Sequence, residues 1–281
     1  MTRIKDSVAL VTGASYGLGE MISRQLAGRG ARVALVARSR DALEALAQDL
    51  RAQGATVAVI PADLAERGAA ERVVETAARE LGPIDILINN AGIEHTLPYE
   101  KYDAAELDRI IDVNLRTPLH LVRLTLPGML ERKRGHVVNM ASLAGIAAPA
   151  FHESYSATKA ALIAFSNSLR ASVRGSGVGV SVVVPGFVSE AGMHERMKKR
   201  AGVKTPALAG AVPAEKVVRA VMRALDRDLS EVLVTPFTTT LMTKALGQAK
   251  DFSAWIQRVG GVTEMYRRVA TKGYDDRGGP A

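Results

Sequence analysis

The 281-residue chain contains no cysteine. Disulfides, thiolate nucleophiles, iron–sulfur clusters and zinc fingers are excluded, and a reducing, cytoplasmic setting is the expectation. Aromatic residues are scarce, at 4% with a single Trp, so there is no stacking platform for nucleic-acid bases. Long apolar runs are missing too. The first, Val8 to Val11, is too short for the core of a signal peptide. No run approaches the ~20 apolar residues that span a bilayer, so integral membrane insertion is not expected. Charge of one sign is in excess, 37 Lys+Arg against 29 Asp+Glu for a net +8. Its clusters are small, however (Arg132-Lys133-Arg134 and Lys198-Lys199-Arg200), and nucleic-acid binding is not expected. The histidines at 95, 120, 136, 152 and 194 never fall at a helical metal-ligand spacing, so no metal is called for. His152 is expected to be a solvated loop residue. What remains, 47% apolar and 23% charged residues, is the composition of an ordinary globular protein.

Short β-rich apolar runs alternate with helical stretches. The runs are Val8–Val11, Arg32–Ala37, Thr56–Ile60, Ile84–Ile88, His136–Met140, Val178–Val184 and Glu231–Val234. Runs this apolar suit strands buried on both faces, and helical connections between them imply a parallel sheet. Helical spacing runs through 41–46, 69–81, 104–130 and 154–173. The expected fold is α/β, a doubly wound sheet with helices on both faces, over residues 1–240. A C-terminal helical extension is expected over 241–281. Phe252, Trp255, Ile256 and Val259 fall at i, i+3, i+4, i+7, as do Val262, Met265, Tyr266 and Val269, with Gly260-Gly261 between. These two helices could pack on the body or a sister subunit, cover a pocket, or lie on a membrane surface. The tail from Gly273 onward is expected to fray.

Directly after the first strand comes Thr12-Gly13-Ala14-Ser15-Tyr16-Gly17-Leu18-Gly19. Glycines so placed permit a tight turn and let the backbone approach a pyrophosphate, which the following helix meets with free N–H groups. At the end of the second strand stands Val36-Ala37-Arg38-Ser39-Arg40, with no carboxylate to accept from a ribose 2′-hydroxyl. Guanidinium groups there suit a 2′-phosphate, which points to NADP(H) over NAD(H).

Tyr155 and Lys159 lie four apart near the start of a helix, hence on one face. Ser142 precedes them at the end of a strand. With these the chain resembles the short-chain dehydrogenase/reductase family over roughly residues 6 to 236. The matching pieces are Thr12-Gly13-x-x-x-Gly17-x-Gly19, Asp63-Leu64, Asn89-Asn90-Ala91-Gly92, Asn114, Ser142, Tyr155-x-x-x-Lys159 and Pro185-Gly186. The resemblance implies a Rossmann-type sheet of about seven parallel strands, and a homodimer or homotetramer. It also implies roles. Tyr155 would exchange the proton; Lys159 would lower its pKa and hold the nicotinamide ribose. Ser142 would bond the substrate carbonyl, and Asn114 would support a water path to Lys159. Asp63 and Leu64 would frame the adenine, and Asn90, Ala91 and Gly92 would line the adenosine ribose. Pro185, Gly186 and Val188 would meet the nicotinamide carboxamide. Ser189 stands where relatives often carry threonine, and its hydroxyl would serve the carboxamide or phosphate.

The resemblance thus implies an NADP(H)-dependent interconversion of a ketone and a secondary alcohol. The substrate-facing loop would run from Phe187 to about Pro213, with Met193, Met197, Val203, Pro206 and Leu208. With Ile146, Ala147, Ala148 and Phe151 it suggests an apolar pocket and a hydrophobic carbonyl or alcohol partner. No charged clamp stands out, save Arg196 or Lys198. A 3-oxoacyl thioester stays open, because Arg132, Lys133, Arg134 and Arg174 could receive an acidic carrier protein. A nucleotide-binding sensor without turnover and an epimerase are the other open readings.

Overall fold

A computed structural model of the chain describes residues 2–190, 192–206, 209–236, 250–272 and 274–275. Seven parallel strands form its centre: β1 (Val8–Thr12), β2 (Arg32–Ala37), β3 (Val57–Pro61), β4 (Ile86–Asn89), β5 (Gly135–Met140), β6 (Val178–Pro185) and β7 (Glu231–Val234). They lie in the order β7-β6-β5-β4-β1-β2-β3. All seven coincide with the apolar runs of the sequence. Every residue of β1, β4, β5 and β6 is buried, as expected of strands covered on both faces. The strand order reverses between β1 and β4, which pair Val11 to Ile88. In such sheets that reversal opens a crevice beyond the carboxyl ends of the strands.

Alternation along the strands assigns the helices to faces. Ala9, Val11, Val33, Leu35, Ile86 and Ile88 pack on one side. Against them lie α1 (Gly17–Gly28), α2 (Arg40–Ala52) and α9 (Ala214–Arg227), through residues such as Ile22, Leu43 and Val221. Val8, Leu10, Val36, Leu87 and Val137 face the other way. There they meet α3 (Ala69–Leu81), α5 (Thr117–Glu131) and α7 (Glu153–Ser172), through Val73, Leu121 and Leu169 among others.

The 104–130 stretch, expected as one helical segment, is interrupted. α4 (Ala104–Ile111) opens on a reciprocal cap between Asp103 and Glu106, and a widened π-type turn over Asp112–Arg116 leads into α5. Such a turn re-aims side chains without ending the helix, and Asn114 sits in it.

Above the carboxyl ends lie α6 (Ala144–Ala147), α8 (Met193–Ala201), α10 (Lys250–Val259) and α11 (Val262–Lys272). α8 occupies the middle of the stretch read as a loop; Ala191, Ala207 and Leu208 of that stretch lie outside the described residues. Met197 and Ala201 of α8 share a core with Met265, Tyr266 and Val269 of α11, with Phe151, Phe187, Val203 and Val262 around it. The expected boundary at 240/241 and the side chain of Phe252 lie outside the described residues. The tail expectation needs correcting. Tyr274–Asp275 form an antiparallel pair with His95–Thr96, so strand pairing holds the chain as far as Asp275; Gly273 and 276–281 are outside the description.

No described helix is long and apolar enough to cross a membrane. Two of the four basic residues proposed for carrier docking are engaged in the fold, while Lys133 and Arg174 are exposed. Arg132 and Arg134 both pair with the buried carboxylate of Asp85, at 3.5 and 2.8 Å, and Arg132 donates to the Ile84 carbonyl.

Candidate active site

The glycine turn and the end of β4 meet where the strand order reverses. Thr12 Oγ1 accepts from the amides of Asn90 and Ala91, both at 3.0 Å. Asn90 Nδ2 donates back to the Thr12 carbonyl at 3.0 Å and to Gly13 O at 3.3 Å. Gly13 adopts φ 68°, and a Cβ there would lie 2.9 Å from Asn90 Nδ2, so the turn tolerates only glycine. Gly17 and Gly19 begin α1, whose N-cap, Tyr16, is extended and supplies no side-chain acceptor. The first amides of α1 therefore lack a local side-chain cap, the usual condition of an anion-binding helix start.

A cleft of about 270 Å³ opens beside this turn. Of the residues singled out in the sequence, Leu18, Asn90, Ser142, Tyr155, Lys159, Pro185, Gly186 and Val188 line it. Gly13, Ser15, Tyr16, Gly17, Gly19, Ala91, Gly92 and Asn114 are not part of its wall, nor are Arg38, Ser39, Asp63 and Leu64. Arg38 and Ser39 are exposed at the start of α2, where Ser39 accepts from the Ala42 amide as a helix cap. Burial pushes the Asp63 carboxyl up, but the bond from Arg109 at 2.8 Å and the nearby Arg38 hold it below its usual value. Leu64 is buried with Val36 and Ile60 in the core.

Tyr155 and Lys159 project together from the first turns of α7, the ammonium 5.6 Å from the centre of the Tyr155 ring. Lys159 is 3% exposed, and burial lowers its amine from 10.5 to about 8, with Glu94 opposing the drop. Its Nζ donates to the Met140 carbonyl at 2.9 Å, an anchor with no sequence signal because any residue supplies a carbonyl. Ser142 stands at the end of β5, where its Oγ accepts from the Ala144 amide at 3.2 Å. Gly145 lets this segment touch α7: a Cβ there would lie 2.7 Å from the Ala160 nitrogen. That close approach places Ser142 and Tyr155 on one cleft. Asn114 is fully buried. Its Oδ1 accepts from the Ile93 amide at 2.8 Å and its Nδ2 donates to Ile93 O at 2.9 Å. A Cβ on Gly92 would sit 3.4 Å from both Asn114 Oδ1 and Lys159 Nζ, so these three form one layer under the cleft.

Several expectations change here. His152 is not solvated: it is 2% exposed, with Nε2 2.9 Å from Glu94 Oε1 and 3.2 Å from Thr96 Oγ1. Its ring stands edge-on to Tyr155 at 5.6 Å and 4.0 Å from that of Tyr266. The cause is local. Phe151 takes a left-handed φ of 64° and packs against the α8–α11 core, which turns the next residue inward. The Ser189 hydroxyl donates to the Val212 carbonyl at 3.3 Å, closing a short parallel strand pair. Arg196 lies over the Tyr16 ring at 4.2 Å and donates to its hydroxyl, while Lys198 pairs with Glu195 at 2.8 Å. Neither reaches the cleft wall. Met193, Ile146 and Ala147 do line it, whereas Met197 is buried beneath α8.

Two further parts complete the wall, the first raised in the sequence as one open reading and the second not anticipated. Ile256, Gln257, Gly260, Val262 and Tyr266 make α10 and α11 a wall of the cleft, with Gln257 donating to the Ala147 carbonyl at 2.7 Å. Of the three readings left open for these helices, packing on the body and covering a pocket are both realised. The other is Glu94, a carboxylate 6% exposed. Burial pushes its carboxyl up, but His152 outweighs this and leaves it below the usual value. Its position four residues past Asn90, at the strand-order reversal, was the one available signal.

The sequence profile of the short chain dehydrogenase family matches residues 7–201. A ketoacyl reductase of Nostoc sp., HetN, is 39% identical over 275 residues, covering 96% of this chain and 94% of its own. An uncharacterized oxidoreductase of Myxococcus xanthus is 39% identical over 188 residues, 67% of this chain and 74% of that protein. Among solved structures, a metagenomic short-chain oxidoreductase in complex with NADP superposes with a TM-score of 0.70 at 32% identity. It covers 84% of this chain and 99% of its own.

Proposed function

Because the chain belongs to the short-chain dehydrogenase/reductase family, we propose that it interconverts a ketone and a secondary alcohol with NADP(H), on a hydrophobic substrate. One observation carries the reading: Ser142, Tyr155 and Lys159 open together into an otherwise largely apolar cleft that adjoins the glycine turn. The residues present fit the dinucleotide. Gly13 lets the turn close tightly on Asn90 and Ala91, where a Cβ has no room, the start of α1 offers amides without a side-chain cap, and an exposed guanidinium, Arg38, follows β2 in a segment, Val36 to Arg40, that carries no carboxylate.

Bound NADPH supplies the hydride. The chain's own groups do the rest. Ser142 Oγ, held by the Ala144 amide, donates to the substrate oxygen and stabilises charge developing there. Tyr155 donates its phenolic proton to that oxygen as the carbonyl is reduced and takes it back in oxidation. An unassisted phenol, with a pKa near ~10, exchanges protons poorly at neutral pH. The Lys159 ammonium, 5.6 Å from the Tyr155 ring centre, favours the phenolate and eases the transfer. Asn114 supports this layer by fixing the Ile93 backbone. The apolar wall from Leu143, Ile146, Phe187 and Val262 excludes water from the reacting carbon.

The name of the HetN relative, with the apolar cleft, favours a 3-oxoacyl thioester as the specific substrate. NADPH oxidation by the purified chain with a panel of hydrophobic ketones and acetoacetyl thioester tests both readings. Turnover with NADPH at a much lower KM than with NADH is the expected result. Silence across the panel contradicts the reductase reading, equal constants remove Arg38 from it, and turnover of plain ketones alone removes the thioester.

A further inference from the structure

Glu94 is the one carboxylate among the described residues that line the cleft, and the reaction outlined above does not use it. A buried carboxylate costs several kcal/mol unless it is paired and hydrogen-bonded. The chain holds one here with a dedicated frame. Asn114 pins the backbone of the preceding residue, Ile93, through two hydrogen bonds, and the two residues after Glu94 pair with Tyr274–Asp275. His152, itself 2% exposed, faces one carboxylate oxygen at 2.9 Å. Thr96 and Tyr266 in turn hold the His152 ring, at 3.2 Å from Nε2 and 4.0 Å between ring centres.

A carboxylate is an acceptor with about four lone-pair sites, and one histidine contact leaves capacity on the cleft side. The apolar part of the surrounding wall, Leu143, Ile146, Pro149, Phe187 and Met193, offers that capacity no donor, and the polar His194 beside it bonds Thr205 through Nε2 at 2.8 Å. We propose that Glu94 is a substrate-recognition residue, and that the preferred substrate is an apolar carbonyl compound bearing a hydroxyl or N–H donor that Glu94 accepts. This rests on the reductase reading for the identity of the cleft and adds the substrate class to it. Such a donor takes up the carboxylate on entry, whereas a ligand without one strips water from Glu94 and returns nothing. A site built to accept a substrate hydroxyl discriminates strongly against the analogue lacking it.

The test uses matched ketones with and without a hydroxyl: benzoin with deoxybenzoin, and 4-hydroxy-4-phenylbutan-2-one with 4-phenylbutan-2-one. Dissociation constants from the protein–NADP⁺ complex are read by the fluorescence of the single tryptophan, Trp255 on α10. Wild type is expected to prefer the hydroxylated member of at least one pair by about tenfold or more, the worth of a hydrogen bond to a charged group. Glu94→Gln keeps an acceptor for His152 and is expected to reduce that ratio about tenfold. Should Gln not fold, Glu94→Asp withdraws the carboxylate by one methylene and is expected to shrink the ratio likewise. Equal binding of both members by wild type, or the same preference in the variants, overturns the proposal. NADPH oxidation is followed separately: its absence with all four ketones counts against the reductase reading, while the binding ratios still decide the role of Glu94.

Discussion

The cleft has two walls built on different principles. The sheet-side wall presents Asn90, Ser142, Tyr155 and Lys159 from strand ends and from α7. There Asn90 is held by the Thr12 carbonyl, Lys159 by the Met140 carbonyl and Ser142 by the Ala144 amide. The opposite wall, from α8, α10 and α11, is held by apolar side chains such as Met197, Met265 and Val269 and by side-chain tethers to backbone carbonyls. Those tethers include Gln257 to Ala147 and Lys272 to Ala201, at 2.7 and 2.6 Å. Hydrogen bonds fix direction and distance, whereas apolar contacts fix mainly volume. The first wall is thus suited to chemistry that needs geometry, and the second to choosing what fills the space.

Substitutions on the two walls should therefore differ in kind. Lys159→Met removes the ammonium beside Tyr155, and kcat should fall by roughly a thousandfold, within the range for lost acid–base assistance. The same variant should be more heat-stable at pH 7. The native amine, lowered to about 8 from 10.5, is charged at a cost when the fold is intact below pH 8. That cost fades as pH rises from 8 towards 10.5, so the advantage in Tm should shrink over that interval. A variant that keeps full activity would place Lys159 outside the chemistry. Outside both walls, Arg38→Ala should raise KM for NADPH about tenfold while leaving that for NADH nearly unchanged, since a charge-assisted phosphate contact is lost; steady-state kinetics with both cofactors shows this.

On the cap wall, Tyr266→Ala empties volume between His152 and Phe187. KM for the carbonyl substrate should rise severalfold, with a smaller change in kcat. A loss of kcat equal to that of Lys159→Met would erase the distinction between the walls. The smallest effect expected is in pH dependence. The reductive rate should fall above about pH 8, as Lys159 loses its proton and its pull on the phenolate. In Glu94→Gln that limb should move to lower pH, because the carboxylate opposes the lowering. A pH–rate profile of both proteins measures it.

The sheet wall was legible in the sequence because its demands are local. A glycine is needed where φ is positive, a tyrosine and a lysine one helical turn apart, and apolar runs where strands are covered on both faces. The cap wall was not legible. Helical spacing located α10 and α11, yet nothing in Ile256 or Tyr266 says which surface they cover. His152 was misjudged because its burial depends on the left-handed turn at Phe151 and on packing by Tyr266, more than a hundred residues away. Glu94 went unnoticed for the same reason: its partner lies in another segment. The Asp112–Arg116 turn escaped because a single widened turn, flanked by helix on both sides, carries no residue type of its own to mark it.

The central claim is that one phenol carries the proton. Single-turnover oxidation of bound NADPH, followed with a ketone that wild type reduces, tests it in Tyr155→Phe. Unchanged NADPH affinity with hydride transfer slowed by a thousandfold or more is the expected result. Transfer at a rate near that of wild type would contradict the account.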